Sequence, residues 1–233
     1  MPSETMKARS LLVNEIFYSI QGESTRAGMP CVFVRLRGCH LRCHYCDTGY
    51  AFHEGARQTV DQIIDEVGRF DCDLVEVTGG EPLLQAGSEA LIRRLCDLGK
   101  TVLVETSGTR PIDRCDPRAI RIMDIKTPGS GQVRQNQWSN LGRLNQRDEL
   151  KFVICDRRDY LWARRLVLDC ALHRQVAAVL FSPVQHVPAC GDLAGSDQLP
   201  LRDLAEWVLS DRLPVRVQAQ LHKLIWDPAT RGV

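Results

Sequence analysis

No apolar run in this chain approaches the ~20 residues that a membrane-spanning helix needs. The N-terminal stretch, MPSETMKARS, lacks the basic-then-apolar pattern of a secretory leader, so the cytoplasm is the expected compartment. An excess of one charge is missing too: 30 basic and 29 acidic side chains leave a net charge of +1. A broad electrostatic grip on nucleic acid is therefore not expected, although a local basic patch would not show in that balance. No low-complexity tract and no linker-like break in composition interrupts the chain. With 44% hydrophobic and 25% charged residues over 233 positions, it can bury a core. That excludes disorder as the main state and suits a single domain over residues 1–233.

Cysteine is the abundant exception, with ten in the chain. Cys39, Cys43 and Cys46 fall together, while Cys31, Cys72, Cys96, Cys115, Cys155, Cys170 and Cys190 are scattered. A disulfide framework serves small secreted domains that cannot build a core. This chain can build one and shows no leader, so the clustered thiolates are expected to serve a metal centre instead.

Short strand-like stretches alternate with amphipathic helical ones. CVFVRL (31–36), LVEVT (74–78), TVLVET (101–106), AIRIMDIK (119–126), LKFVIC (150–155) and VAAVLFSPV (176–184) read as strands, and PVRVQAQLHK (214–223) begins as one. TVDQIIDEVGRF (59–70) reads as a helix with Thr59 as N-cap and Ile63, Ile64 and Val67 on one face. SEALIRRLCDLG (88–99) is a helix closed by Gly99, and RDYLWARRLVLDCAL (158–172) and LRDLAEWVLSD (201–211) are two more. This spacing implies βαβ units and a mainly parallel sheet. The strands fall short of a closed eight-stranded barrel, so the expected fold is α/β, an open TIM-like partial barrel of about six parallel strands. Residues 131–148 read as irregular or partly helical, and 188–200 as a surface loop.

Functional groups in such folds gather at the carboxyl ends of the strands. That rule selects residues 38–48, 78–82, 105–108, 124–131, 182–186 and 218–223. The first of these holds Cys39-x3-Cys43-x2-Cys46. Three thiolates so close can converge on one inorganic centre. A structural zinc wants four ligands, and His40 or His44 could supply the fourth. A 4Fe–4S cluster normally takes four cysteines, so three would leave one iron open to a small molecule.

Tyr45 stands directly before Cys46, and the resulting CxxxCxYC resembles the signature of the radical S-adenosylmethionine (SAM) superfamily. The resemblance implies that Cys39, Cys43 and Cys46 hold a 4Fe–4S cluster whose open iron takes the amino and carboxylate groups of SAM, with Tyr45 beside it. One βα unit later, VTGGEPLL carries Gly79-Gly80-Glu81-Pro82. This is similar to the superfamily stretch that lines the groove for the SAM amino group. Glycines let backbone carbonyls approach an ammonium, and a nearby carboxylate can stabilise it. Alone, GGEP would be only a βα turn. The same resemblance implies SAM contacts from Ser107 in ETSGT, from Asp124, Lys126 and Thr127 in DIKTPGSG, and from Ser182, Pro183 and Val184. A helix cap or a Pro-Gly turn is the plainer use of those loops.

IFYSIQGES (16–24), followed by GMPCVFVRLRGC, resembles the 7-carboxy-7-deazaguanine synthase family, whose N-terminal extension folds over the substrate. By position, the resemblance implies that Ile20, Gln21 and Gly22 contact a pterin, with Glu23 beside them. Arg35 would pair with the substrate carboxylate through its planar fork. Thr48 would give an oxygen to Mg²⁺, which keeps waters and so accepts a single protein ligand. Thr78 and His222 would also face the pterin. The plainer readings are a turn at Gln21-Gly22, a surface ion pair at Arg35 and a packed histidine at His222. Some family members end near the position of Pro228 and use the terminal carboxylate on the substrate. Five residues follow Pro228 here, so that role is not carried over.

The implied activity is that of a Mg²⁺-dependent radical SAM lyase. It would contract the ring of 6-carboxy-5,6,7,8-tetrahydropterin to 7-carboxy-7-deazaguanine, with loss of ammonia, in queuosine-type biosynthesis. The resemblance further implies a low-potential electron from flavodoxin or ferredoxin, a homodimer, and no direct contact with nucleic acid or membrane. Two other readings stay in view. One is an activase of a glycyl radical enzyme, against which FYSIQGE speaks; the other is a non-catalytic zinc-binding module.

Overall fold

The alternating pattern folds into one curled sheet with helices packed on its outer face. The computed structural model describes residues 10–227 and 230–233. Residues 1–9, which include most of the N-terminal stretch read above, lie outside the described residues, as does Pro228. The strands are β1 (Ser10–Ile20), β2 (Pro30–Leu36), β3 (Ala56–Thr59), β4 (Leu74–Gly79), β5 (Thr101–Thr106), β6 (Ile120–Asp124), β7 (Glu149–Ile154), β8 (Ala178–Pro183) and β9 (Arg216–Val217). Their order is β3-β1-β2-β4-β5-β6-β7-β8-β9. From β2 to β9 every pairing is parallel, while β1 runs antiparallel to both β2 and β3. The result is the open, partial barrel expected, with the seventh parallel strand, β9, only two residues long.

The helices are α1 (Val60–Val67), α2 (Ser88–Asp97), α3 (Arg157–Asp169), α4 (Leu201–Ser210) and the short α5 (His222–Ile225). Thr59 and Gln62 close a reciprocal capping box at the start of α1, worth about 1 kcal/mol. Gly99, at φ +78°, ends α2 in the left-handed region. No helix among the described residues is long and apolar enough to cross a membrane.

Strand alternation sorts the side chains. Val32, Val34 and Leu36 of β2, Val75 and Val77 of β4, and Val102 and Val104 of β5 pack outward with α1 and α2. Leu150, Phe152 and Ile154 of β7 pack with α3 and α4. The intervening residues face the bore. Cys31, Phe33, Leu103 and Ile122 form a small apolar cluster there.

Two strands were not legible beforehand. β1 carries Asn14, Glu15 and Ser19 among its apolar residues, and a register shift between Val13 and Glu15 breaks the period of two. β3 is a polar edge strand, ARQT. IFYSI, expected as an extension ahead of the barrel, is therefore part of the sheet itself. Residues 131–148 form short 3-10 turns, and 188–200 is a loop with isolated bridges.

Candidate active site

Parallel strands deliver their carboxyl ends to one rim, and a cavity of about 450 Å³ opens there and runs into the bore. Of the residues given a cluster, SAM, Mg²⁺ or pterin role by resemblance, all but Glu81, Pro82 and Thr127 line it.

The cysteine loop follows β2. Arg42 Nη1 donates to Cys39 O (3.1 Å) and Leu41 O (2.8 Å) and lies over the Phe52 ring, which gathers the loop into a tight turn. Cys43 is buried, Cys39 and Cys46 are half-buried, and all three line the cavity. Burial pushes all three thiols up, Cys43 to about 11 although Lys126 pulls it down. A bound metal centre would supply the positive charge that turns them into thiolates.

The two histidines proposed as a fourth ligand point elsewhere. His40 Nε2 lies 2.9 Å from Thr109 Oγ1, and the His44 ring packs over Gly131. Neither lines the cavity. Among the described residues, no three His, Cys, Asp or Glu side chains are placed to hold a single metal ion. The zinc reading thus loses the fourth ligand it needed. Three thiols lining one cavity, with neither histidine beside them, suit an iron–sulfur cluster with one corner for a small molecule.

The GGEP stretch works differently from expectation. A Cβ on Gly80 would collide with Gly38 O and come within 2.7 Å of Cys39 Cβ. Gly79, at φ +153°, has Leu36 O in the same position. The glycines are required first because the cysteine loop lies against them. The Glu81 carboxylate, wholly buried, accepts from Leu83 N–H (3.0 Å), Thr106 Oγ1 (2.9 Å), Ser107 N–H (2.8 Å) and Ser107 Oγ. With those donors engaging both its oxygens, it stands behind the cavity wall. It ties the end of β4 to the end of β5, and so sets Ser107. Thr127 is likewise buried, its hydroxyl donating to Val153 O at 3.0 Å. The wall itself carries Lys126 Nζ, 2.7 Å from Asp124 Oδ2. Asp124 Oδ1 and Tyr45 Oη are buried and, among the described residues, lack hydrogen-bond partners. An orphaned acceptor on the cavity wall suits a ligand ammonium or hydroxyl. Ser182, Pro183 and Val184 complete this side.

The opposite side comes from the connection after β1. Because β1 is antiparallel to β2, Ile20 delivers Gln21, Gly22 and Glu23 into the bore. Gln21 Nε2 donates to Glu76 Oε2 at 2.5 Å. Leu221 N–H donates to Gly22 O at 3.0 Å, and a Cβ on Gly22 would run into the His222 ring. Glu23 accepts from Gln218 Nε2 (3.3 Å) and Gln220 Nε2 (2.7 Å) and pairs with Lys151. Arg35 donates through Nε to Glu15 Oε1 (2.8 Å), which also accepts from Tyr50 Oη (2.9 Å). Thr48 Oγ1 lies 3.8 Å from Cys46 Sγ, and Thr78 Oγ1 donates to Glu105 Oε2 at 3.2 Å.

Sequence reasoning missed the charges inside the bore. Lys151 Nζ lies 2.6 Å from Glu105 Oε1 and also meets Glu23. Burial opposes the charge on Lys151, but Glu105 and Glu23 outweigh it and hold the ammonium well above its usual range. Burial likewise pushes Glu105 up, but Lys151 reverses this and leaves the carboxyl low. Glu76, with no cation so close, is pushed by burial and then by Glu105 up to about 8. Asp47 pairs with Lys223, which overrides its burial and brings it to about 2. The signal was present in VEVT, VET and LKF: charges at alternate positions of strands otherwise apolar. The tail residues Thr230–Val233 also reach the cavity, with Arg231 stacked on Tyr50 at 3.9 Å.

The chain is similar in sequence and in fold to known proteins. Residues 33–123 fit the model of the Radical SAM superfamily. The chain is 49% identical over 226 residues to a 7-carboxy-7-deazaguanine synthase of Chlorobaculum tepidum, covering 96% of this chain and 97% of that one. It is 44% identical to a 7-carboxy-7-deazaguanine synthase of Koribacter versatilis, covering 95% and 99%. Among solved structures, QueE from Escherichia coli shares the fold. Its TM-score is 0.70 at 22% identity, over 94% of this chain and 99% of that one.

Proposed function

Because the chain belongs to the 7-carboxy-7-deazaguanine synthase family and is an enzyme of the radical SAM class, we propose that its cavity takes 6-carboxy-5,6,7,8-tetrahydropterin beside SAM and yields 7-carboxy-7-deazaguanine and ammonia. The observation that carries this reading is that one cavity joins the three-cysteine loop to Gln21, Gly22, Glu23, Arg35 and His222. Cys39, Cys43 and Cys46 would hold the 4Fe–4S cluster. Tyr45, Gly79, Gly80, Ser107, Asp124, Lys126 and Ser182–Val184 would surround SAM. Cluster and SAM together supply the one-electron chemistry that ring contraction needs, and the protein orients the substrate and excludes water.

On the substrate side, Ile20, Gln21, Gly22, Glu23, Thr78 and His222 would hold the pterin. Glu15 engages Arg35 through Nε, so the terminal nitrogens are the ones offered to the substrate carboxylate as a fork. Lys151 holds Glu23 in place. Thr48 would give Mg²⁺ one oxygen, with substrate oxygens and waters completing its shell. The whole chain serves as one domain. Ten free cysteines suit the reducing cytoplasm. Flavodoxin or ferredoxin would deliver the electron, and a homodimer would cover exposed apolar side chains such as Leu224 and Ile225.

The test is anaerobic incubation of the reduced, reconstituted enzyme with SAM, Mg²⁺ and the carboxytetrahydropterin. Formation of the deazapurine chromophore with release of ammonia is expected. Cleavage of SAM without any deazapurine would reject the substrate and return the activase reading.

A further inference from the structure

Three of the residues assigned to the pterin, Gln21, Gly22 and Glu23, sit on a connection without regular structure, Gln21–Met29, and something must set its path. Ser24, next to Glu23, is buried at φ +67°, a left-handed conformation that a non-glycine residue adopts only when held there. On one flank Ser24 N–H donates to Gln218 Oε1 at 3.0 Å. On the other stands Glu149, the first residue of β7, wholly buried. Its carboxylate accepts from Thr25 N–H (3.1 Å to Oε2, 3.3 Å to Oε1) and from Thr25 Oγ1 (2.5 Å). Arg26 Nη1 lies 3.7 Å away. Glu149 is not among the residues that line the cavity, so its influence there would pass through the residues it binds.

We propose that Glu149 is a positioning residue for the substrate: through Thr25 it holds the Ser24 turn that aims Gln21 and Glu23 into the cavity. A carboxylate is acceptor-only, so it matches the two adjacent donors of Thr25 with charge-assisted bonds that a neutral side chain would not reproduce. β7 is a rigid interior strand between β6 and β8, which makes it a fixed post against which the connection is tied. The same strand supplies Lys151 to Glu23, so the turn and its carboxylate are referred to one element. The inference rests on the assignment of Gln21–Glu23 to the pterin.

The test uses the full, reconstituted enzyme with Thr25→Val, Thr25→Ser and Glu149→Gln. Thr25 is exposed, so its variants should leave folding intact. Thr25→Val and Glu149→Gln should raise KM for the pterin about tenfold while KM for SAM stays within about twofold, and Thr25→Ser should stay close to wild type. Amide hydrogen exchange over residues 22–27, measured without substrate, should speed up in the first two variants only. An unchanged pterin KM, an equal rise in both KM values, or a Thr25→Ser variant as impaired as Thr25→Val overturns the proposal. Should wild-type enzyme convert no pterin at all, the proposed function falls and this positioning role with it. An active wild type with insensitive variants sinks the role alone.

Discussion

Replacing Glu76 by glutamine should flatten the alkaline side of the pH–stability profile. Glu76 faces the bore from β4, is 4% exposed, and takes a hydrogen bond from Gln21 Nε2 at 2.5 Å. Burial, then the charge on Glu105, move its carboxyl from 4.5 up to about 8. The folded chain therefore keeps a proton that the unfolded chain releases. A carboxyl raised in this way adds stability that is fully present below its unfolded value and is lost as pH rises through its folded one. Between about pH 6 and about pH 8.5 that loss amounts to about 2.5 kcal/mol. Glutamine has no such proton to lose and keeps an acceptor for Gln21. Urea unfolding of the metal-free chain, anaerobic and reduced, gives both profiles. Subtracting them cancels the thiols and His222, which titrate in each. The stability difference between the two pH values should shrink by about 2.5 kcal/mol in Glu76→Gln. Profiles parallel to within about 0.5 kcal/mol would instead show that water solvates Glu76 inside the bore and that its proton is not held by folding.

Three further outcomes are expected. Glu81→Ala leaves Leu83 N–H, Thr106 Oγ1 and both Ser107 donors without their partner. At about 1–3 kcal/mol per buried group left unpaired, it should cost at least about 3 kcal/mol in chemical denaturation, with Glu81→Gln recovering part; a loss under about 1 kcal/mol would contradict this. Gly80→Ala pushes a methyl group against Gly38 O and Cys39 Cβ. It should lose about 2 kcal/mol and bind less iron on reconstitution, and full iron loading at wild-type stability would show that the two loops give way freely. Thr48→Ala should weaken the Mg²⁺ dependence of turnover while the visible absorption of the cluster stays intact. A Mg²⁺ response equal to wild type would remove Thr48 as a ligand.

Local signals carried most of the fold. The Thr59–Gln62 capping box, the αL glycine at Gly99 and the apolar runs of β4, β5 and β7 each depend on residues close in the chain, and each element formed where those signals placed it. β1 escaped because its bulge breaks the alternation by which strands are recognised. β3 escaped because its edge position asks for no apolar face. The SAM-side and pterin-side motifs were legible as local strings. The resemblance then joined two strings, 16–24 and 39–48, that the fold brings onto one cavity.

What depends on spacing was already written in the order of residues: three thiols within one loop, a helix–strand period that makes a parallel sheet, and glycines where two strand ends meet. Folding chose the partners. Glu81 turned out to serve Ser107 from behind the wall, His40 and His44 turned away from the cavity, and Lys151 came between Glu23 and Glu105. Sheet order and register choose which bore-facing side chains become neighbours. Residues 23, 105 and 151 carry no local mark of the distance that folding removes between them.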